Sequence, residues 1–247
     1  MLIDFITNNT QESVLESMCI MLGEEYDIAM ESNESVNTEV KKKFIDRVKN
    51  VIEKIKEFIL RAIKWIKDKF KELLKRDKRK VRKDDGSIEY IEFVIDEKLY
   101  ELIKKSIEKN DSVNDEIVKL TSALDDKNTN IVDLRNNIHE ITRKLKDSDE
   151  YKKVINYKHG IIQSKMVPIN SSQINTNLDT ATKQIEKLKE FKTSLERALS
   201  GGLDSEEMTD INKKLILVEA SLTSISTKVS ILSKCYNSIK EKKSIQK

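Results

Sequence analysis

Proline occurs once in 247 residues and glycine five times, and aromatic side chains make up only 5% of the chain. With so few helix breakers, long uninterrupted helices are favoured over a turn-rich β architecture. Cysteine is as scarce. Cys19 and Cys235 are far apart and lack a CxxC-type neighbour, so they form neither a disulfide framework nor a zinc site, and read as two reduced thiols among apolar residues. The two histidines, His139 and His159, have no cysteine or clustered carboxylate at metal-ligand spacing. There is no Gly-rich phosphate loop, no GxSxG elbow and no HExxH helix. Asp84-Asp85-Gly86 starts like a calcium loop, but the later acids fall at the wrong places, so it reads as a turn. These absences point away from an enzyme and predict no cofactor, no metal and no small-molecule substrate.

Long hydrophobic runs are missing too. The mean hydropathy is −0.55, and no apolar run approaches the ~20 residues of a conventional transmembrane helix. A secretory signal needs a basic start and an apolar centre. Residues 1–39 instead hold nine acids and no Lys or Arg.

Charge is abundant, at 36% of residues, with a net value of only +3. That small total hides a division. The acidic head is followed by Lys41–Lys83, which carries nineteen Lys/Arg against six acids. Such asymmetry speaks of a polyanionic partner or of pairing within the chain.

Hydrophobic periodicity supplies the elements. Residues 10–22 read as a short amphipathic helix and 31–38 as a polar linker. A helix begins near Thr38, and its apolar stripe (Phe44, Val48, Val51, Ile55, Phe58, Ala62, Ile66) keeps a spacing of three and four while Lys and Arg fill the other face. A turn at 84–87 and the β-prone IEYIEFVI predict a small β-hairpin near 81–95. Asp96 caps a helix through about Lys109. From Asp111 a heptad pattern (Val113, Ile117, Leu120, Leu124, Ile131, Leu134, Ile138, Ile141, Leu145) predicts one straight helix to Asp147, with Lys127 as its polar core position. A shorter helix, Glu150–Lys165, and a loop at 166–172 follow. The chain closes with an antiparallel helical hairpin, Gln173–Leu199 and Ser205–Lys242, turned by Ser200-Gly201-Gly202. The fold class is therefore all-α, a long-helix bundle with an antiparallel coiled-coil hairpin. Its parts are an acidic segment and linker (1–38), a basic amphipathic helix (39–83), a short extended piece and helix (84–110), and a coiled-coil bundle (111–247).

The basic helix admits three readings. Its apolar stripe packs on the other helices and its lysines are a solvated face. Alternatively it lies on an anionic membrane, presenting Phe44, Phe58, Ile59, Trp65 and Phe70 with Arg61, Lys64 and Lys67 at the rim. In the third, it contacts nucleic acid through the run that includes Lys75, Arg76, Lys78, Arg79 and Lys80, by salt-sensitive, sequence-blind phosphate contacts.

The order of parts resembles that of internal or ejected virion proteins of large tailed bacteriophages. The similarity lies in an acidic amphipathic start, a small polar linker and the helix FIDRVKNVIEKIKEFILRAIKWIKDKF, and it covers about the first 75 residues. Ala29-Met30-Glu31-Ser32 is similar to sites cut by phage prohead proteases, with Ala29 where Leu or Ile is commoner. The resemblance implies cleavage between Glu31 and Ser32 and a place in the virion. The resulting expectation is a non-enzymatic virion-associated protein, in the virion or host cytoplasm, whose acidic head masks the basic helix and whose coiled coil binds a protein partner or a second copy. The alternative is an intracellular helical binding module, such as a phage inhibitor of host defence or a scaffold that sequesters one partner.

Overall fold

The computed structural model describes residues 38–77, 80–82, 88–122, 130–158, 165–169, 171–200 and 205–246. The short helix expected at 10–22, the linker, Lys127 and His159 lie outside them. The described residues form α1 (Thr38–Asp77), β1 (Lys80–Arg82), β2 (Ile88–Asp96), α2 (Glu97–Ser122), α3 (Ile131–Lys146), α4 (Asp149–Ile155), β3 (Met166–Pro168), α5 (Ser171–Ser200), α6 (Ser205–Ser238) and β4 (Lys240–Gln246). The fold is a long-helix bundle with a small antiparallel sheet at one end.

The centre of the bundle is α6. Helices α5, α2, α3 and α4 all pack on it, and α1 packs along α5. Burial of α6 extends around nearly its whole circumference, which explains why Ser221, Thr223, Ser224 and Thr227 are as buried as Leu222 and Val229. Small side chains let neighbouring helices approach from several sides. Contrary to the hydropathy expectation, one described helix, Glu207–Ser238, has the length and apolarity to cross a membrane. In this fold, however, 89% of its most apolar stretch is buried by protein. The pair α5–α6 forms the expected antiparallel hairpin. Asp111 meets Lys228 and Asn110 meets Ser224, while Tyr100 lies beside Cys235, so α2 runs antiparallel to α6. His139 faces Glu219, and Lys234 donates to the Tyr157 carbonyl, so α3 and α4 run parallel to it.

This arrangement brings the C-terminal ends of α1 and α6 and the N-terminal ends of α2 and α5 to one end of the bundle. The sheet closes that end. β2 is its central strand. β4 covers one edge of β2 from Ile88↔Gln246 to Val94↔Lys240. The other edge is shared end to end by β1, opposite 88–90, and β3, opposite 94–96. Four strands thus make a sheet only three strands wide.

Five expected boundaries are corrected. The helix from Asp96 does not stop at Lys109 but runs to Ser122, because the side chain of Asn110 finds partners across the bundle instead of capping a helix end. The single helix expected over 111–147 is two, with Asn130 accepting from the Val132 amide to start α3. The last arm ends at Ser238, not Lys242, and residues 240–246 form β4, since pairing along β2 outweighs the helix propensity of Lys and Glu. The helix expected at 150–165 closes at Ile155, and the 166–172 loop contains β3. The hairpin expected near 81–95 is present as β1–β2.

Candidate functional site

Helix α1 sorts its residues by face. Phe44, Val48, Val51, Ile55, Phe58, Ile59, Ala62 and Ile66 are buried in the common core. The stripe proposed for lipid contact is therefore not free: Phe44, Phe58 and Ile59 pack inside the bundle, and Trp65 is half-buried against it. Arg61 is half-buried, whereas Lys64 and Lys67 are exposed. Phe70, Lys75 and Arg76 lie on the last turns of α1 and Lys80 opens β1. Lys78, Arg79, Glu31 and Ser32 lie outside the described residues.

Helix α1 carries fourteen Lys/Arg against seven acids. Toward its start the charges pair along the helix, Lys49 with Asp46 and Lys56 with Glu53. Lys64, Lys67 and Lys71 differ. They are exposed, form no ion pair with another described residue, and stand at i, i+3 and i+7, which places them in one row. Leu60, 61% exposed, continues that row one turn earlier. Asp68 and Glu72 are the acids nearest in sequence, and Glu72 pairs with Lys69.

A second polar assembly was not foreseen. Lys228 on α6 is fully buried and its ammonium pairs with Asp111 on α2. Burial pushes it below the ordinary lysine range, against the pull of Asp111 and Asp115. One turn away, Asn110 Nδ2 donates to the Ser224 carbonyl at 2.8 Å, and Gln184 Nε2 on α5 donates to Asn110 Oδ1 at 3.2 Å. This network ties α2, α5 and α6 at one level and lies beneath a cleft between α2 and α5. A signal for it exists in the sequence: residues 215–233 contain just two charges, Glu219 and Lys228, and both are buried. A charge in a stretch that is otherwise apolar or small needs a partner from elsewhere in the fold.

His139, 3.8 Å from the buried carboxylate of Glu219, is the described histidine. Among the described residues no group of His, Cys, Asp or Glu is arranged to hold a metal ion. Comparison with protein-family models, with curated proteins and with solved structures finds no match to this chain.

Proposed function

We propose that this chain is a non-enzymatic helical interaction protein that engages a phosphate polyanion, nucleic acid in the first place, through the outward row of α1. The observation that carries this reading is the row Lys64, Lys67 and Lys71, exposed and without an ion-pair partner among the described residues. α1 is ~60 Å long at 1.5 Å per residue, so its outer face follows a duplex backbone over many phosphates. The bundle already uses the helix's apolar stripe, which leaves charge but little apolar surface to offer. That favours phosphate contacts over insertion into a lipid interface. With the resemblance to internal virion proteins, the setting is a bacteriophage particle in which the protein lies against packaged DNA. In this reading the nine acids of residues 1–39 compete with DNA for the same cations.

The test compares the full chain with a chain beginning at Ser32, by fluorescence anisotropy on duplex DNA and by co-sedimentation with phosphatidylglycerol vesicles. The shortened chain is expected to bind DNA several-fold more tightly at low salt, and both chains to prefer DNA to vesicles. Equal DNA affinity of the two chains would remove the masking role of the head. Vesicle binding stronger than DNA binding would move the partner to the membrane. The rival reading, a module that sequesters a single host protein, predicts no appreciable affinity for either surface.

A further inference from the structure

Directly paired residues of an antiparallel sheet share a face, and the face alternates with each step along a strand. Ile91, Phe93 and Ile95 of β2 therefore share one face with Val81 of β1, Val167 of β3 and Ile245 of β4. Ile95 belongs to the common core and Phe93 is buried, so this apolar face is turned to the bundle.

The same register sets the opposite face. Along β2 it carries Ile88, Tyr90, Glu92 and Val94. β1 places Arg82 opposite Ile88 and Lys80 opposite Tyr90, while β4 places Lys242 opposite Glu92 and Lys240 opposite Val94. Four successive rungs of this face thus hold one cation each, two from one edge strand and two from the other. Alternate residues of a strand lie ~6.6 Å apart, so the four rungs span ~20 Å along β2.

Little on this face competes for the cations. Lys240 and Lys242 are exposed and form no ion pair with another described residue, although the exposed Glu92 stands directly opposite Lys242. Val94, between the exposed Pro168 and Lys240, is buried. Asp96, the other acid of this face, is fully buried and accepts from the Lys98 and Leu99 amides at the start of α2. A small anion needs polar groups that converge on a point. A row of single positive charges suits instead the repeated phosphates of a nucleic-acid backbone.

We propose that the outer face of the sheet is a second nucleic-acid contact, in which Arg82, Lys80, Lys242 and Lys240 each meet a phosphate. This inference rests on the reading of the chain as a nucleic-acid-binding protein. It extends the contact from the last turns of α1, joined to β1 through residues 78–79, onto the sheet. The basic run at 75–83 is thereby completed by lysines from β4, far later in the chain.

The experiment measures duplex DNA binding by fluorescence anisotropy over a salt series, for the full chain and for full-length variants. Lys240→Gln combined with Lys242→Gln is expected to bind more weakly at low salt. Its slope of log K against log salt should be shallower by about 1.8, two contacts at about 0.9 each. Glu92→Gln should tighten binding several-fold at low salt, a gain that a damaged fold would not produce. Lys243→Gln, at a register position on the bundle-facing side, should leave the slope unchanged. An unchanged slope in the Lys240 and Lys242 variant, with a reduced slope when Lys64, Lys67 and Lys71 are changed to alanine, would overturn this inference and leave the α1 reading standing. The converse would keep the sheet and remove the α1 row. A change per charge as large for Lys243→Gln would overturn the assignment to the outer face, and no DNA binding by the full chain would overturn both readings.

Discussion

Lys228 and Asp111 form one ion pair but occupy different surroundings. The lysine side chain is 0% exposed and the aspartate 41%. Removing either partner therefore has unequal consequences. Asp111→Ala leaves an ammonium in the core with no counter-charge, a loss of about 3–5 kcal/mol for a broken buried pair. Lys228→Met leaves a carboxylate that water already reaches and fills the space with an apolar chain, so a change within about 1 kcal/mol is expected. Urea unfolding of the two variants checks this ordering; equal losses would contradict it. Cys235 provides a second residue-level expectation. Burial among apolar side chains pushes its thiol up to about 12, and burial with a hydrogen bond to Asp96 pushes the Tyr157 phenol to about 12 as well. In the unfolded chain these groups ionise near 8.5 and 10. Both folded values are raised, so their stabilisation is complete below those unfolded values and is lost as pH rises toward about 12. Urea midpoints measured from pH 8 to 11 should fall, and Cys235→Ala should flatten the decline that begins near pH 9. A variant whose decline is as steep as that of the unaltered chain would rule the thiol out as its cause.

At the scale of elements, what could be read from sequence depended on where the partner of each residue lies. The body of α1 was legible because its stripe, from Phe44 to Ile66, repeats at helical spacing and meets few breakers, although the helix ends at Asp77 and not at the expected 83. The β1–β2 hairpin was legible because turn residues at 84–87 precede the β-prone run IEYIEFVI. The break between α2 and α3 was hidden by a hydrophobic repeat that passes through it in phase, although Asp125-Asp126-Lys127-Asn128-Thr129-Asn130 is a run poor in helix formers. Asn110 misled in the opposite sense, resembling a helix end while its amide bonds to Ser224 and Gln184 on other helices. The strand β4 left no local trace, since KEKKSIQ takes its conformation from β2, more than a hundred residues earlier in the chain. That pairing has a measurable consequence. Removing residues 240–247 strips one edge of β2 over 88–94. A loss of roughly 2–4 kcal/mol is expected after the ordering entropy of the segment is subtracted. The exposed edge should also promote concentration-dependent association, seen by light scattering. Unchanged stability together with a monomeric profile would show that β4 contributes little.

Over the whole molecule, the sheet gathers the ends of α1, α2, α5 and α6, and α6 gives the other helices a common core. The division of charge along the chain was visible from the start, and the structure adds where it is displayed. Because α1 turns its apolar stripe inward, its lysines form an outer face held in place by the bundle. The polar network and cleft of α2 and α5 were hidden, because Asn110, Asp111, Gln184 and Lys228 are dispersed in sequence and converge only when three helices pack. The central claim is that the row Lys64, Lys67 and Lys71 contacts phosphate. Its most direct test is the salt dependence of duplex DNA binding by the full chain and by the Lys64→Ala, Lys67→Ala, Lys71→Ala triple variant. Each phosphate contact contributes about 0.9 to the slope of log K against log salt. The triple variant should therefore bind more weakly at low salt, with a slope shallower by about 2.7; an unchanged slope and affinity would contradict the claim.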